Sequence, residues 1–182
     1  MSLHDYGFEA LYRWSEGKDI SGGIPAILLK NIPGAVDVKS AGNEDDKKGI
    51  DYWVYRKNTK RAVTVDVKNR SIDPIDSFGS DDLALERWSV IEQNKIGWTL
   101  DDSKETDFIL WFFHPTERWV LLPFVQLLAV AQEHMTTWEA QYINKTQSSD
   151  DGRWHSLCVF VPRPIVLAAI SKRFYGERRN ND

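Results

Sequence analysis

Two runs with high β-propensity, at residues 49–55 and 62–68, are separated by a short basic segment near the middle of the chain. Both runs are rich in β-branched and aromatic residues, which suit the pleated, half-buried surface of a strand. The segment between them is polar and short enough for a hairpin connection. If the turn is centred on residues 58–59, Asp51 lies directly across from Asp66, because both are equally distant from that centre.

Such a hairpin would place three charged side chains together. Side chains alternate between the two faces of a strand, so Asp66 and Lys68 share one face while Val65 and Val67 take the other. Asp51 adds a second carboxylate, and carboxylate oxygens suit a hard cation such as Mg²⁺. A lysine beside a metal-bound water can orient that water, or accept its proton if the lysine pKa is lowered. The alternative is an ordinary hairpin with solvated charges on its open face.

The hairpin residues resemble the PD-(D/E)XK nuclease superfamily. Ile50-Asp51 stands where that pattern has Pro-Asp, and Asp66-Val67-Lys68 stands for (D/E)-X-K. The resemblance implies the restriction-endonuclease-like fold, an α/β (α+β) architecture in which a mixed β-sheet is flanked by helices. It also implies a Mg²⁺ site, with Mn²⁺ as a substitute, formed by Asp51, Asp66 and the main-chain carbonyl of Val67.

A third acidic ligand is left open by the motif. In the superfamily a glutamate of the first helix sometimes joins the metal site. Glu9 is the candidate for that role, because residues 4–16 have helical spacing of apolar side chains. Its alternative is a plain exposed helical glutamate. Glu86 and Glu92 are the other candidates, and Glu86 is preferred.

The implied activity is metal-dependent hydrolysis of DNA phosphodiester bonds, with Asp51, Asp66, Lys68 and Glu9 as the catalytic set. No helix motif of the Gln-x-x-x-Tyr kind found in exonuclease-type members is evident, and the chain is short for a separate target-recognition domain. A compact repair-type or structure-selective nuclease of phage or mobile-element origin is therefore expected. The competing interpretation is a non-catalytic interaction or inhibitor protein on a nuclease-like fold. Acidic net charge and aromatic content favour that alternative, whereas the intact acidic and lysine set disfavours it.

The net charge of the chain does not favour binding to DNA, but the positions of its basic residues do. A net charge of −4 argues against a strongly basic nucleic-acid module. Basic residues nevertheless surround the hairpin, and they are the expected contacts to backbone phosphates: Lys47, Lys48, Arg56, Lys57 and Arg70. A solvated hairpin tip would account for part of this cluster equally well.

The sequence predicts a single domain over residues 1–182, with a frayed tail at 176–182. No signal pattern or membrane-spanning run is evident, and the lone Cys158, in an apolar run, is expected to be an inert buried thiol. These features predict a cytoplasmic protein without a membrane partner. A homodimer is compatible with the sequence.

Outside the hairpin, apolar patterning predicts the remaining elements. Strands are expected at 36–38, 87–91, 96–100, 107–113, 118–122 and 157–161. Helices are expected at 80–85, 124–138 and from Pro164 to Phe174. Loops are expected at 21–25, 43–48, 69–79 and 147–153.

Overall fold

A computed structural model describes residues 23–149 and 151–176. The strands within these ranges are β1 (Ala35–Ser40), β2 (Tyr52–Arg56), β3 (Val63–Arg70), β4 (Asp82–Val90), β5 (Lys95–Ile96), β6 (Phe108–Phe113), β7 (Arg118–Pro123), β8 (Ile143–Ser148) and β9 (His155–Pro162). The α-helices are α1 (Gly23–Asn31), α2 (Asn43–Asp46), α3 (Pro74–Phe78), α4 (Phe124–Gln141) and α5 (Arg163–Tyr175), and 3-10 turns lie at Ile91–Gln93 and Trp98–Leu100. The predicted helix at 4–16, with Glu9, and the tail beyond Gly176 lie outside the described residues.

The strands form two sheets. The larger sheet has the order β1-β2-β3-β6-β7 and is mixed, because β3 pairs with β6 in parallel while its other neighbours pair antiparallel. The smaller sheet, in the order β5-β4-β9-β8, is antiparallel throughout. The predicted class, an α+β fold with a mixed sheet flanked by helices, is confirmed. The sequence does not predict the second sheet.

The predicted hairpin is present with the predicted register. β2 and β3 pair antiparallel, with Tyr52 opposite Val65 and Val54 opposite Val63. This register ends at Tyr52: the amide of Asp51 donates to the carbonyl of Val65, so the predicted direct pairing of Asp51 with Asp66 does not form. The turn between the strands contains Asn58, whose φ of 61° lies in the left-handed region that asparagine tolerates better than most residues.

Each face of the larger sheet is covered by a separate hydrophobic cluster. On one face, Ile24 and Leu28 of α1 pack with Val54, Val65 and Leu110, all of which are essentially inaccessible to solvent. The other face is covered by α4, α5 and the smaller sheet, through a larger cluster. Because β6 contributes to both clusters, the predicted strand at 107–113, buried on both faces, is confirmed.

The helix predicted at 80–85 is wrong, since β4 begins at Asp82. The polar residues that suggested a helix start are instead used locally, with the Ser80 hydroxyl donating to the Asp82 carboxylate at 2.6 Å. Leu83 and Leu85 alternate along the strand and are both fully buried in the larger cluster. Burial of these leucines in the larger cluster outweighs the local capping preference, as tertiary packing commonly does.

Several predicted loops also prove to be regular structure. Helix α1 begins at Gly23 within the predicted loop 21–25, and the short α2 lies within 43–48. In the predicted loop 69–79, β3 continues to Arg70 and α3 follows. Asp73 caps α3 by accepting a hydrogen bond from the amide of Ile75 at 3.1 Å, and proline at the first helical position suits a helix start.

Two further differences concern the smaller sheet. Of the strand predicted at 96–100, only β5 at Lys95–Ile96 forms, and a 3-10 turn replaces the rest. β8 is not predicted at all. Its six residues are all exposed, so they carry no apolar alternation from which a strand could be recognised.

An ion-pair network around the buried Asp73 ties four separate segments together. The Arg118 guanidinium donates to both carboxylate oxygens of Asp73, at 2.9 and 2.8 Å, and to Asp81 at 2.9 Å. It also lies 4.0 Å from the ring centroid of Phe113. Arg163, at the start of α5, donates to the second oxygen of Asp81 at 2.5 Å. The network therefore joins β7 to the residues that precede α3 and β4 and to the first residue of α5.

We predict that Arg118→Ala lowers the free energy of unfolding near pH 7 by about 3 kcal/mol, because it leaves the buried Asp73 carboxylate without its cation. Hydrogen bonds from Arg118 lower the pKa of Asp73 to about 2, so the stabilisation is present above the ordinary value of 3.8 and is lost as the pH falls towards 2. Urea unfolding near pH 7 and near pH 2 should show that the variant loses less free energy of unfolding, relative to the wild type, at the acidic pH. Arg153→Ala, at an exposed site, is the control and should change stability by less than ~0.5 kcal/mol. A deficit of equal size at both pH values would contradict the prediction.

Candidate active site

The open end of the β2–β3 hairpin fixes the position of Asp51. Its amide donates to the Val65 carbonyl at 2.9 Å, just beyond the last regular pair of the ladder, Tyr52 with Val65. Its carboxylate accepts a hydrogen bond from the amide of Val67 at 2.5 Å. A buried amide needs a partner, and the carboxylate supplies it where the β2 backbone no longer does. The side chain of Asp51 is therefore held against β3.

Asp66 and Lys68 follow on the same face of β3, as predicted. Asp66 is 5% exposed, and its carboxylate lies 2.8 Å from the ammonium of Lys68. That ammonium also lies 4.7 Å from the ring centroid of Trp98, a cation–π distance. The two predicted site residues on β3 are thus in direct contact, and an aromatic ring borders the lysine.

Asp51 and Asp66 are close enough to influence each other's charge. Burial and, to a smaller degree, the negative charge of Asp66 together raise the pKa of Asp51 to about 7, although the Val67 amide and Lys68 oppose the shift. Asp46, at the end of α2, contributes a smaller effect in the same direction as Asp66. A buried carboxylate whose neighbour is a second acid is an arrangement suited to a bound cation.

Two glycines lie in tightly packed positions around the site, one beside Asp66 and one against the Glu86 backbone. Gly49 has a φ of +78°, and a side-chain Cβ there would lie 2.9 Å from Cδ of Lys104 and 3.5 Å from a carboxylate oxygen of Asp66. A Cβ at Gly97 would lie 2.3 Å from the carbonyl oxygen of Glu86, closer than any real contact. Gly49 therefore requires glycine through its conformation, and Gly97 requires it through its close approach to the Glu86 backbone.

Glu86 enters the same charged region from the smaller sheet. Its carboxylate accepts a hydrogen bond from the amide of Trp98 at 3.0 Å. Burial raises the pKa of Glu86, and the Trp98 amide, Lys68, Arg70 and Lys104 partly oppose that shift. Lys68 is therefore near carboxylates contributed by both sheets.

Glu92 lies apart from this region, since its carboxylate contacts His155 on β9. The preference for Glu86 over Glu92 as the acid nearer the site thus agrees with the geometry.

The donor set for a metal ion is small. Across residues 23–149 and 151–176, no three His, Cys, Asp or Glu side chains are grouped so as to hold an ion together. Glu86 therefore does not complete a three-acid set with Asp51 and Asp66, and Glu9 lies outside those residues. The amide and carbonyl of a strand residue point to the same side, so the carbonyl of Val67 faces the side occupied by Asp51. Oxygen donors alone, with one or two carboxylates, fit Mg²⁺, which retains several waters.

The predicted phosphate contacts occupy three places. Lys47 and Lys48 precede Gly49 at the open end of the hairpin, where their ammonium groups contact Glu44 and Glu105, whereas Arg56 and Lys57 lie at its closed end. Five residues of strand separate Asp51 from Arg56, or about 16 Å. Arg70 lies on the face of β3 that carries Lys68, and its buried Nε has no hydrogen-bond partner among the described residues.

Lys104, Trp98 and Gly97 are site residues that sequence reasoning does not single out. Lys104 lies in the turn before β6, where its ammonium donates to the carbonyl of Lys47 at 3.3 Å. None of the three belongs to a motif or a periodic pattern. Gly97 before an aromatic residue is the only local signal, because an isolated glycine within a strand pattern indicates a bulge or a close backbone approach.

An open cavity of about 400 Å³ lies beside the carboxylates on the same face of the hairpin. Its lining residues are Ile50, Trp53, Arg61, Ala62, Thr64, Lys104, Glu105, Thr106 and Asp107. Ile50 is adjacent to Asp51 in sequence. Thr64 lies two residues before Asp66 on β3, so the two side chains are neighbours on the same face of the strand.

The free thiol of Cys158 takes no evident part in chemistry. Burial raises its pKa to about 11, so it is protonated at neutral pH and is a poor nucleophile. This agrees with the inert thiol expected from the apolar sequence around it.

Comparisons with known proteins give no relative: no protein-family model, no curated protein and no solved structure matches this chain. Within the described part of the chain, no helix is long and apolar enough to cross a membrane.

We predict that Asp51→Asn stabilises the metal-free protein at alkaline pH. Because the pKa of Asp51 is raised to about 7, the native state binds this proton more tightly than the unfolded chain does, and stability falls as the pH rises from about 4 to 7. Asparagine still accepts the hydrogen bond from Val67 but cannot ionise. Thermal or urea unfolding in EDTA should show a gain on the order of 2 kcal/mol near pH 8 and none near pH 4.

Asp37→Asn, at an exposed position of β1, is the matched control, and we expect its stability to change by less than ~0.5 kcal/mol. A constant difference between Asp51→Asn and the wild type across this pH range would show that the charge of Asp51 is not responsible.

Proposed function

We propose that this protein is a metal-dependent deoxyribonuclease of the PD-(D/E)XK type that hydrolyses DNA phosphodiester bonds. The observation that carries the proposal is the convergence of Asp51, Asp66 and Lys68 on one face of the hairpin, with Lys68 2.8 Å from Asp66. The raised pKa of Asp51 supports it, because strongly shifted acids cluster at functional sites.

Asp51, Asp66 and the carbonyl of Val67 would hold the ion, Mg²⁺ or its substitute Mn²⁺. When bound, such an ion neutralises phosphate charge and lowers the pKa of a coordinated water. Asp51 contributes a carboxylate already positioned by the Val67 amide, so little reorganisation is needed. Asp66 contributes one that is shielded from bulk solvent.

Lys68 would orient the attacking water and stabilise the negative charge that develops on the phosphate. Its ammonium has three donors, of which one is directed to Asp66. The ring of Trp98 borders the ammonium and limits access of other water. Such exclusion of solvent strengthens the interaction between a fixed cation and a developing anion.

DNA would be bound through its backbone. Lys47 and Lys48 lie at the open end of the hairpin, Lys104 lies against Gly49 near Asp66, and Arg70 lies beyond Lys68 on the same strand face. Cations that contact phosphates give affinity without reading sequence. This favours a repair-type or structure-selective enzyme, and a phage or mobile-element origin belongs to the same proposal. A reducing cytoplasm suits a protein with a single, unpaired cysteine.

A second candidate function is a non-catalytic interaction or inhibitor protein on the same fold. The observation that favours it is the direct ion pair between Lys68 and Asp66, which in a protein without metal would simply satisfy two charges. The described residues also offer only two acids, and not three, to hold a metal ion, which favours the non-catalytic candidate. Cleavage experiments separate these candidates, because only the nuclease requires the divalent ion.

We predict that the purified protein cleaves DNA with Mg²⁺ or Mn²⁺ and is inactive with EDTA. Asp66→Asn and Lys68→Ala should each lower the cleavage rate by at least about 100-fold, because each removes an interaction made to the reacting groups. Supercoiled plasmid and single-stranded circular DNA, followed by gel electrophoresis, report the cleavage of both DNA forms.

Lys39→Ala is the matched control, since Lys39 is an exposed lysine on β1 of the same sheet and should leave the rate unchanged. Melting temperatures show whether each variant is folded. Equal cleavage by the wild type and Asp66→Asn would assign the activity to a contaminant or another site. Absence of any Mg²⁺-dependent cleavage by the wild type would favour the non-catalytic candidate.

A further inference from the structure

The cavity beside the carboxylates has the size and position of a substrate subsite. Its volume of about 400 Å³ falls in the range of small-ligand pockets. It continues the face that carries Asp66, because Thr64 lies two residues earlier on the same strand. Two residues of strand span about 6.6 Å, a distance comparable with the length of one nucleotide. A group in the cavity would therefore lie about one nucleotide away from a phosphate at Asp51 and Asp66.

One wall of the cavity is an indole ring in a fixed orientation. Trp53 lies directly across the hairpin from Thr64, so its side chain is on the face of the carboxylates. Its Nε1 donates to the carboxylate of Asp45 at 3.2 Å, which restrains the ring. The indole of Trp53 is only partly buried and lines the open cavity. A restrained, accessible aromatic face is the feature on which nucleobases stack.

A cation stands between this wall and the carboxylates. The Lys104 side chain lines the cavity and also passes within contact distance of Gly49, next to Asp66. Its ammonium contacts the main-chain carbonyl of Lys47, and no carboxylate of the described residues forms an ion pair with it. By contrast, Lys48 is paired with Glu105 at 3.4 Å. Lys104 is thus available to bind an anion at the boundary between the cavity and the carboxylates.

The floor of the cavity is polar and ordered. Asp107 accepts hydrogen bonds from the amide of Thr64 at 3.0 Å and from Arg61 at 3.0 Å. The Thr64 hydroxyl donates to the carbonyl of Glu105 at 2.8 Å. These lining groups hydrogen-bond to one another. The guanidinium of Arg61 is exposed at the rim.

We propose that this cavity binds one unpaired nucleotide of the DNA substrate, with the base stacked on Trp53 and its phosphate on Lys104. The inference rests on the proposed nuclease activity and narrows it to substrates with a single-stranded segment. A base inside a duplex is stacked between its neighbours and cannot enter a cavity walled by protein, so an intact duplex would use only the phosphate contacts. Single-stranded DNA would gain the stacking contact in addition.

The test measures binding in EDTA, where no cleavage takes place. Fluorescence anisotropy gives the dissociation constant for a labelled single-stranded oligonucleotide and for the blunt duplex of the same sequence. Trp53→Leu should weaken single-strand binding by about tenfold, the size expected for one lost base–aromatic stack, and change duplex binding less than about twofold. Trp53→Phe, which keeps a stacking ring, should bind as the wild type does.

A second variant tests the cavity without removing the ring. Ala62→Phe places a larger side chain in the cavity and should weaken single-strand binding to a similar degree. The control is Trp119→Leu, at a partly exposed tryptophan on β7, the far edge of the same sheet, and its binding should be unchanged. If Trp53→Leu does not fold, Ala62→Phe decides the question.

Three outcomes would overturn the inference: unchanged single-strand binding by the folded variants, an equal loss for single strand and duplex, or no single-strand binding by the wild type. The binding data are independent of the Mg²⁺-dependent cleavage assay. If only the cavity inference is wrong, cleavage still depends on Asp66 while single-strand binding does not depend on Trp53. If only the nuclease proposal is wrong, binding depends on Trp53 but no cleavage occurs.

Discussion

The pairing register of β2 with β3 is the constraint on which the candidate site depends. Side chains alternate along a strand, so a slip of one residue would exchange the two faces of β3. The observed register buries Val63 and Val65 against α1, where both are almost inaccessible to solvent. With those valines fixed, Asp66 and Lys68 must lie on the opposite face, beside Asp51. Hydrophobic burial on one face of the sheet thus determines the position of the charges on the other.

The two charged clusters of this fold differ in what they do for stability. At Asp73 the pKa is lowered to about 2 by Arg118, so this carboxylate is more stable as an anion in the folded protein than in the unfolded chain. At Asp51 burial raises the pKa to about 7, so the folded protein destabilises that anion. A carboxylate that joins segments of the fold is expected to have a lowered pKa. Asp51, which lies beside a second acid, has a raised pKa instead, and a bound cation would stabilise its charged form.

The parts of the fold that the sequence predicts are those with strong periodic patterns. The hairpin follows from two β-prone runs placed symmetrically about a turn, and α4 follows from apolar side chains at helical spacing. β4 is mistaken for a helix because its first residues imitate a helix start, and only the burial of Leu83 and Leu85 in a sheet decides otherwise. β8 has no apolar pattern, since it is recruited at an exposed edge by pairing with β9.

The candidate site likewise has a part that the sequence predicts and a part that it does not. Asp51, Asp66 and Lys68 are brought together by one local element, so their spacing along the chain is enough to predict that they meet. The surroundings of Lys68 depend on contacts between distant segments. Glu86 and Trp98 come from the smaller sheet and the turn after it, and no sequence spacing relates them to the hairpin.

The smaller sheet matters to the site because it controls the freedom of Lys68. β4 is irregular where it pairs with β9, with a register shift between Glu86 and Trp88. Such bulges redirect side chains and increase local twist. Gly97 then packs directly on the Glu86 backbone, which draws the amide and ring of Trp98 over the end of β3. On an isolated hairpin the lysine ammonium would be fully solvated and mobile. Here its side chain is about one-fifth exposed, with an acid on one side and a ring on the other. Restricting a flexible cation in this way lowers the entropy lost when it binds a phosphate, so the second sheet contributes to the proposed chemistry by preorganisation.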